Sequence, residues 1–153
     1  MRCSRCTWGT GWAGTRALAG HGPATAAELT ARAGGHERYA AVFAFECIHD
    51  MPQPADTLTR IRRALRPGGT VVVMDEATAV SLTAPADDTE RLLYGFSLLI
   101  CLPDGMSHQP SAGTGTVMRP ATLRRYAVEA GFRAVEVLPI SDFGFWRFYR
   151  LLP

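Results

Sequence analysis

The 153-residue chain contains no lysine and no asparagine, and all 16 of its basic residues are arginine. Against 14 acidic residues the net charge is only +2, which gives no electrostatic footprint for a nucleic-acid partner. Long apolar runs are missing too. The most apolar stretch, residues 96–102, is far short of the ~20 residues that cross a bilayer, and the first residues lack the apolar core of a secretion signal. No membrane association is expected, and a cytoplasmic location is. Four cysteines do not make a disulfide framework here. Cys3 and Cys6 have the spacing of half a zinc site, but Cys47 and Cys101 stand alone in apolar settings. A redox pair would follow a strand, and none precedes Cys3. His21, His36 and His108 have no spaced partners, so no metal site is expected.

What is present is enough apolar content for one domain with a buried core. The most informative stretch covers residues 39–76. It reads as strand, polar turn, amphipathic helix, Pro67-Gly68-Gly69 and a second strand. The apolar runs at residues 39–45 and 70–74 suit buried strands of a parallel sheet, and they end at Glu46 and at Asp75-Glu76. Between them Leu58, Ile61 and Leu65 fall on one helical face, with Arg60, Arg62, Arg63 and Arg66 on the solvated remainder. Pro54 suits a first helical turn, and Pro67-Gly68-Gly69 reads as the stop. This βαβ unit carries acidic residues at the carboxyl ends of both strands, where open α/β sheets bind ligands.

Further on, Asp87 and Glu90 form a candidate helix cap. Leu92, Leu93, Phe96, Leu99 and Ile100 follow as one apolar face ending at Pro103. The glycine-rich residues 104–117 read as a lid or a disordered loop. Pro120 opens a last helix that Gly131 ends, and residues 135–138 and 146–151 alternate like an antiparallel hairpin at a sheet edge.

The order apolar strand, Ile48-His49-Asp50-Met51-Pro52, helix, Leu65-Arg66-Pro67-Gly68-Gly69, strand resembles the middle of a class I S-adenosylmethionine-dependent methyltransferase. Tyr94-Gly95-Phe96-Ser97, residues 113–120 and the closing residues 145–151 are similar to one bacterial subgroup of that family, which acts on small molecules. The resemblance covers residues 39–151. It implies a Rossmann-like α/β sheet, mostly parallel with an antiparallel C-terminal strand, and S-adenosylmethionine as cofactor.

Residues 1–38 match the family only as a degenerate remnant of the cofactor loop. Gly9, Gly11 and Gly14 would form the loop that approaches the cofactor, opening a helix. The family's strand-ending acidic position falls on Arg5, and its first glycine on Thr7. Residues 24–38 leave no room for the second strand, its helix and a third strand, nor for the acidic residue that holds the ribose hydroxyls. The sheet is therefore expected to be incomplete on its N-terminal side, with cofactor binding weakened and apolar sheet surface, including Phe43 and Val73, open to self-association.

Methyl transfer asks mostly for alignment, plus a base where the nucleophile carries a proton. Phe45 and Glu46 are the expected cofactor neighbours from the described strand end. His49 is the candidate general base, its alternative being a residue that caps the turn. Asp50, Asp75 and Glu76 read as helix-capping or solvent-facing residues before any substrate role. Two functions follow: methyl transfer to a small molecule, or a catalytically inactive binding or regulatory module of the same family. A nicotinamide oxidoreductase on the same glycine loop is a third, with less support from the motifs.

Overall fold

A computed structural model describes residues 39–153 of the chain. Strands β1 (Tyr39–Phe45) and β2 (Leu65–Glu76) are joined by helix α1 (Pro54–Ala64). Helix α2 (Asp88–Phe96) runs through a π-helical turn, Ser97–Cys101, into the short α3 (Leu102–Met106). Helix α4 (Pro120–Glu129), β3 (Ala134–Val137) and β4 (Trp146–Leu152) complete the order.

The described strands make one sheet in the order β1-β2-β4-β3. β1 and β2 are parallel, with Val42 opposite Val71 and Ala44 opposite Val73. β4 is antiparallel to β2, pairing Val73 with Tyr149 and Asp75 with Arg147, and β3 is antiparallel to β4. The mixed sheet expected from the sequence is therefore present. β2 is longer than the apolar run alone implies. The pairing of β1 with β2 skips between Tyr39 and Ala41, so Arg66-Pro67-Gly68-Gly69 bulge out of register while still belonging to the extended chain. Helix α1 thus stops at Ala64, before the proline, and Gly68 takes the left-handed φ of +74° at the bulge.

The core lies on one face of this sheet. Val42, Ala44, Val71, Val73, Tyr149 and Leu151 meet Leu58 and Ile61 of α1 and Leu123, Tyr126 and Ala127 of α4. The same periodicity that buries Leu58 and Ile61 leaves Arg60, Arg62, Arg63 and Arg66 exposed, as a solvated arginine face requires. Val72, Met74 and Phe43 on the opposite face are half-buried, whereas Val73 is buried.

Two local expectations change in detail. Pro103 does not end the apolar helix; the π turn leads directly into α3, where proline in the first turn lacks only an amide hydrogen that needs no helical partner. Of the apolar face only Leu93 is buried, while Leu92, Phe96, Leu99 and Ile100 are exposed. The cap does form, with Asp87 Oδ1 accepting from the Glu90 amide at 2.7 Å. The glycine-rich segment that follows α3 is fastened to the turn after β1. The Gly115 amide donates to the His49 carbonyl at 3.2 Å, and the Ala112 amide to the Pro52 carbonyl at 2.7 Å.

Gly115 is the tightest of these joints. It adopts φ +70°, and a Cβ there would collide with Ser97 Oγ and come within 3.3 Å of Leu102 Cβ. Gly115→Ala is expected to cost about 2–4 kcal/mol, combining the left-handed backbone penalty with overpacking. Urea denaturation checks this; a loss below ~1 kcal/mol would mean the π turn yields freely.

Candidate functional site

β1 ends at Phe45, and Glu46 turns the chain with a left-handed φ of +51°, a conformation that costs a non-glycine residue on the order of 1–2 kcal/mol. The Glu46 amide still bonds to the Met74 carbonyl at 3.0 Å, so the turn starts from a fixed point on the sheet. Cys47 and Ile48 are then fully buried, and the Met51 amide closes the turn on the Ile48 carbonyl at 3.2 Å. This anchoring drives the His49 side chain inward, to 3% exposure, against the carboxyl end of β2.

There His49 Nδ1 lies 3.0 and 3.1 Å from the two carboxylate oxygens of Asp75. Its Nε2 is 3.3 Å from Asp50 Oδ1, and Nδ1 is also 3.6 Å from Glu76 Oε2. Burial by itself would lower the imidazole's pKa; hydrogen bonding and charge from Asp50 and Asp75 outweigh it and hold the pKa far above the ordinary 6.5. The ring is therefore an imidazolium at neutral pH. Burial first, and then the neighbouring Asp75, push the Glu76 carboxyl up to about 10, so it stays protonated there.

Asp75 and Glu76 are 0% and 4% exposed, so the capping and solvent roles read from the sequence do not apply. Asp50 caps no helix either, because α1 begins after Gln53 without a side-chain cap. These are the residues that sequence reasoning undervalued. The available signal was their position: acidic residues directly following four apolar residues of a buried strand can hardly reach solvent without leaving the sheet.

Above this cluster opens a cavity of about 580 Å³, within the size range of small-molecule sites. Glu46, His49, Asp50 and Glu76 form its floor, and Leu92, Phe96 and Ile100 are on the wall supplied by α2 and the π turn. Phe145 and Trp146 close it at the start of β4. Arg119 fixes the α2 wall, reaching Glu90 at 2.9 Å, the Tyr94 hydroxyl at 3.0 Å and the Ala79 carbonyl at 2.6 Å. The partial exposure of the α2 apolar residues thus has a local reason: they face a cavity and the surface beside it.

The structure brings His49 and Glu46 together at the cavity. Phe45 is half-buried, with its ring 5.9 Å from that of Phe43, and is not among the lining residues. Gly9, Gly11 and Gly14 lie outside the described residues. Among the described residues, two triads place ligand-type atoms within 4.8 Å of one another: His49, Asp50 and Cys101, and His49, Asp75 and Glu76. A metal ion at either triad would have to displace the proton that His49 holds.

No curated protein matches the chain. Solved structures with this fold include an O-methyltransferase family protein from Burkholderia thailandensis, at 16% identity and TM-score 0.53, covering 78% of this chain and 31% of that one. The carbon methyltransferase CurJ matches at 19% identity and TM-score 0.51, over 80% and 31% of the two chains. PigF, solved with SAH, matches at 16% identity and TM-score 0.51, over 90% and 33%. At such identities the likeness concerns the fold, and the chain spans about a third of the length of these proteins. A family model described as a methyltransferase domain matches residues 7–137, most of the sequence and all the elements that build the cavity floor. The chain belongs to the class I S-adenosylmethionine-dependent methyltransferase family.

Proposed function

We propose that the chain transfers a methyl group from S-adenosylmethionine to a small molecule held in the cavity above His49. The observation that carries this reading is the place of the cavity. It lies where β1 and β2 end, the side of an open α/β sheet that receives ligands, with a carboxyl-rich floor and an apolar wall. When bound, S-adenosylmethionine supplies a methyl group already activated by a positively charged sulfur. Residues present here fit such a group in chemistry: the carboxyl floor complements a cation. Glu46 at the end of β1 would hold it, together with the loop of Gly9, Gly11 and Gly14.

The remaining work falls to positioning and to exclusion of water. Leu92, Phe96 and Ile100 give an acceptor an apolar wall, and Arg119 keeps that wall attached through Glu90 and Tyr94. A base role for His49 requires neutral imidazole, and its carboxylate partners favour the charged form. His49 is therefore read as a positioning residue that holds Asp50 and Asp75 in place. A pH–rate profile separates the two roles. A base gives turnover that rises through the His49 pKa and vanishes in His49→Gln; a positioning residue gives no such limb.

Calorimetry with S-adenosylmethionine and S-adenosylhomocysteine tests the reading as a whole. Saturable binding is expected, with Kd from tens of micromolar upward. Between the glycine loop and β1 neither Glu28 nor Glu37 follows an apolar run that reads as a strand ending at the ribose, and losing hydrogen bonds to a charged group costs roughly one to two decades of affinity. Absence of binding would refute the proposal. Binding without product from any acceptor would assign the chain to the inactive-module alternative.

A further inference from the structure

We propose that the ligand of this cavity is an organic ammonium on an aromatic or apolar body, so that the methyl acceptor is an amine; this rests on the methyl-transfer reading above. Four of the lining residues are acidic: Glu46, Asp50, Glu76 and Asp104. His49 is the basic lining residue, and both of its nitrogens face the carboxylates of Asp75 and Asp50. None of the described residues lining the cavity is an arginine. Among the described residues the lining is thus richer in acidic than in basic side chains.

Two further atoms point to a ligand independently of that count. Glu76 Oε2 and Thr116 Oγ1 are buried without a hydrogen-bond partner, and both residues line the cavity. The residues are only 4% and 2% exposed. A buried polar atom left in this state destabilises a fold unless something arrives to satisfy it. An ammonium is a donor-only group with several N–H bonds, so one such group can serve both oxygens. A neutral hydroxyl brings a single donor, and a carboxylate brings none and meets like charge. Phe96, Phe145 and Trp146 supply the apolar remainder of the wall, and aromatic faces near a cation add attraction of their own.

The chemistry balances for a primary amine. The ammonium gives one proton to a carboxylate of the floor, which frees the nitrogen lone pair. That pair forms the new C–N bond to the methyl carbon as the methyl–sulfur bond breaks, its electrons remaining on the sulfur of S-adenosylhomocysteine. The product leaves as the N-methyl ammonium, and the proton held by the carboxylate passes to water.

Three probes sharing one indole ring test this on the full chain by calorimetry, with S-adenosylhomocysteine present: tryptamine, tryptophol and indole-3-acetate. Tryptamine is expected to bind at least tenfold more tightly than tryptophol, and indole-3-acetate not detectably. Thr116→Val, which removes the unpartnered Oγ1, should cut the preference for tryptamine to threefold or less, whereas Glu76→Gln keeps an accepting oxygen in place of the protonated acid and should leave it within twofold. Asp104→Asn, at a half-buried position, should lower it at least twofold and serves if Thr116→Val does not fold. The proposal is overturned if tryptophol or indole-3-acetate binds as well as tryptamine, if tryptamine does not bind, or if the preference survives undiminished in folded Thr116→Val and Asp104→Asn. Binding of S-adenosylhomocysteine alone is measured separately. Cofactor binding without tryptamine preference overturns the amine and leaves methyl transfer standing; tryptamine preference without cofactor binding supports the cation site and overturns methyl transfer.

Discussion

Asp75→Ala is expected to destabilise the protein by about 3–5 kcal/mol, the range for removing one partner of a buried ion pair. Asp75 is fully buried, and its carboxylate accepts from His49 Nδ1 through both oxygens and from the Glu76 amide at 3.1 Å. Truncation strands an imidazolium at 3% exposure with Asp50 as its remaining close carboxylate. It also opens a void beneath the cavity floor. For a domain of this size the melting temperature should fall by roughly 10 °C or more. His49→Ala should lose a comparable amount for the opposite reason, leaving Asp75 beside Glu76 without the cation between them. The two changes share one interaction, so the double variant should lose less than the sum of the singles by about 0.5–3 kcal/mol. Urea denaturation of all three variants decides the matter. Strict additivity, or a loss below ~1 kcal/mol for Asp75→Ala, would show that the pair contributes nothing to the fold.

Asp75 also shows where the sequence stopped being legible. The strands, the α1 face and the antiparallel β4 follow from patterns with a fixed period. Leu58 and Ile61 recur at helical spacing, and the valines ahead of Asp75 announce a buried strand. The N-cap at Asp87 is equally local, since the residues involved are three apart. The site is different in kind. His49 and Asp75 are separated by 26 residues and meet only because β1 and β2 pair in parallel with Phe45 opposite Met74. Once that register is fixed, the ends of the two strands lie side by side and the turn after β1 must fall against Asp75. Periodicity within either segment cannot give that register. Nor does it show that Pro103 sits in a helix, because the π turn that leads into α3 lies against Gly115, which local periodicity does not register. His49 could be picked from its residue type as a titratable group near the ligand side of the sheet. Its charge state could not, since that is set by carboxylates contributed from two different segments.

Raising the pH from 6 to 9 is expected to lower the stability of the protein continuously, and Glu76→Gln should make the decline shallower. An unfolded glutamate ionises near 4.5, whereas the folded Glu76 retains its proton up to about 10. An unfolded histidine loses its proton near 6.5, whereas the folded His49 keeps it well above that. The stabilisation gained by the raised His49 is complete below about 6.5 and drains away as pH rises toward the folded value. Glu76 acts in the same direction from 4.5 to about 10, because unfolding there releases a proton that the folded chain must hold. In both cases the native state binds more protons than the unfolded one, so alkali favours unfolding. Each fully linked proton is worth about 1.4 kcal/mol per pH unit. Glutamine resembles the protonated acid in shape and polarity but has no proton to lose, so the variant should keep only the His49 share of the slope. Urea midpoints at half-unit steps from pH 6 to 9 measure both slopes. A flat or rising stability for the wild-type chain would show that neither group keeps its proton. An unchanged slope in Glu76→Gln would show that Glu76 is ionised in the folded protein. In that case His49 would sit among three carboxylates, and the cavity floor would carry more negative charge than its burial suggests.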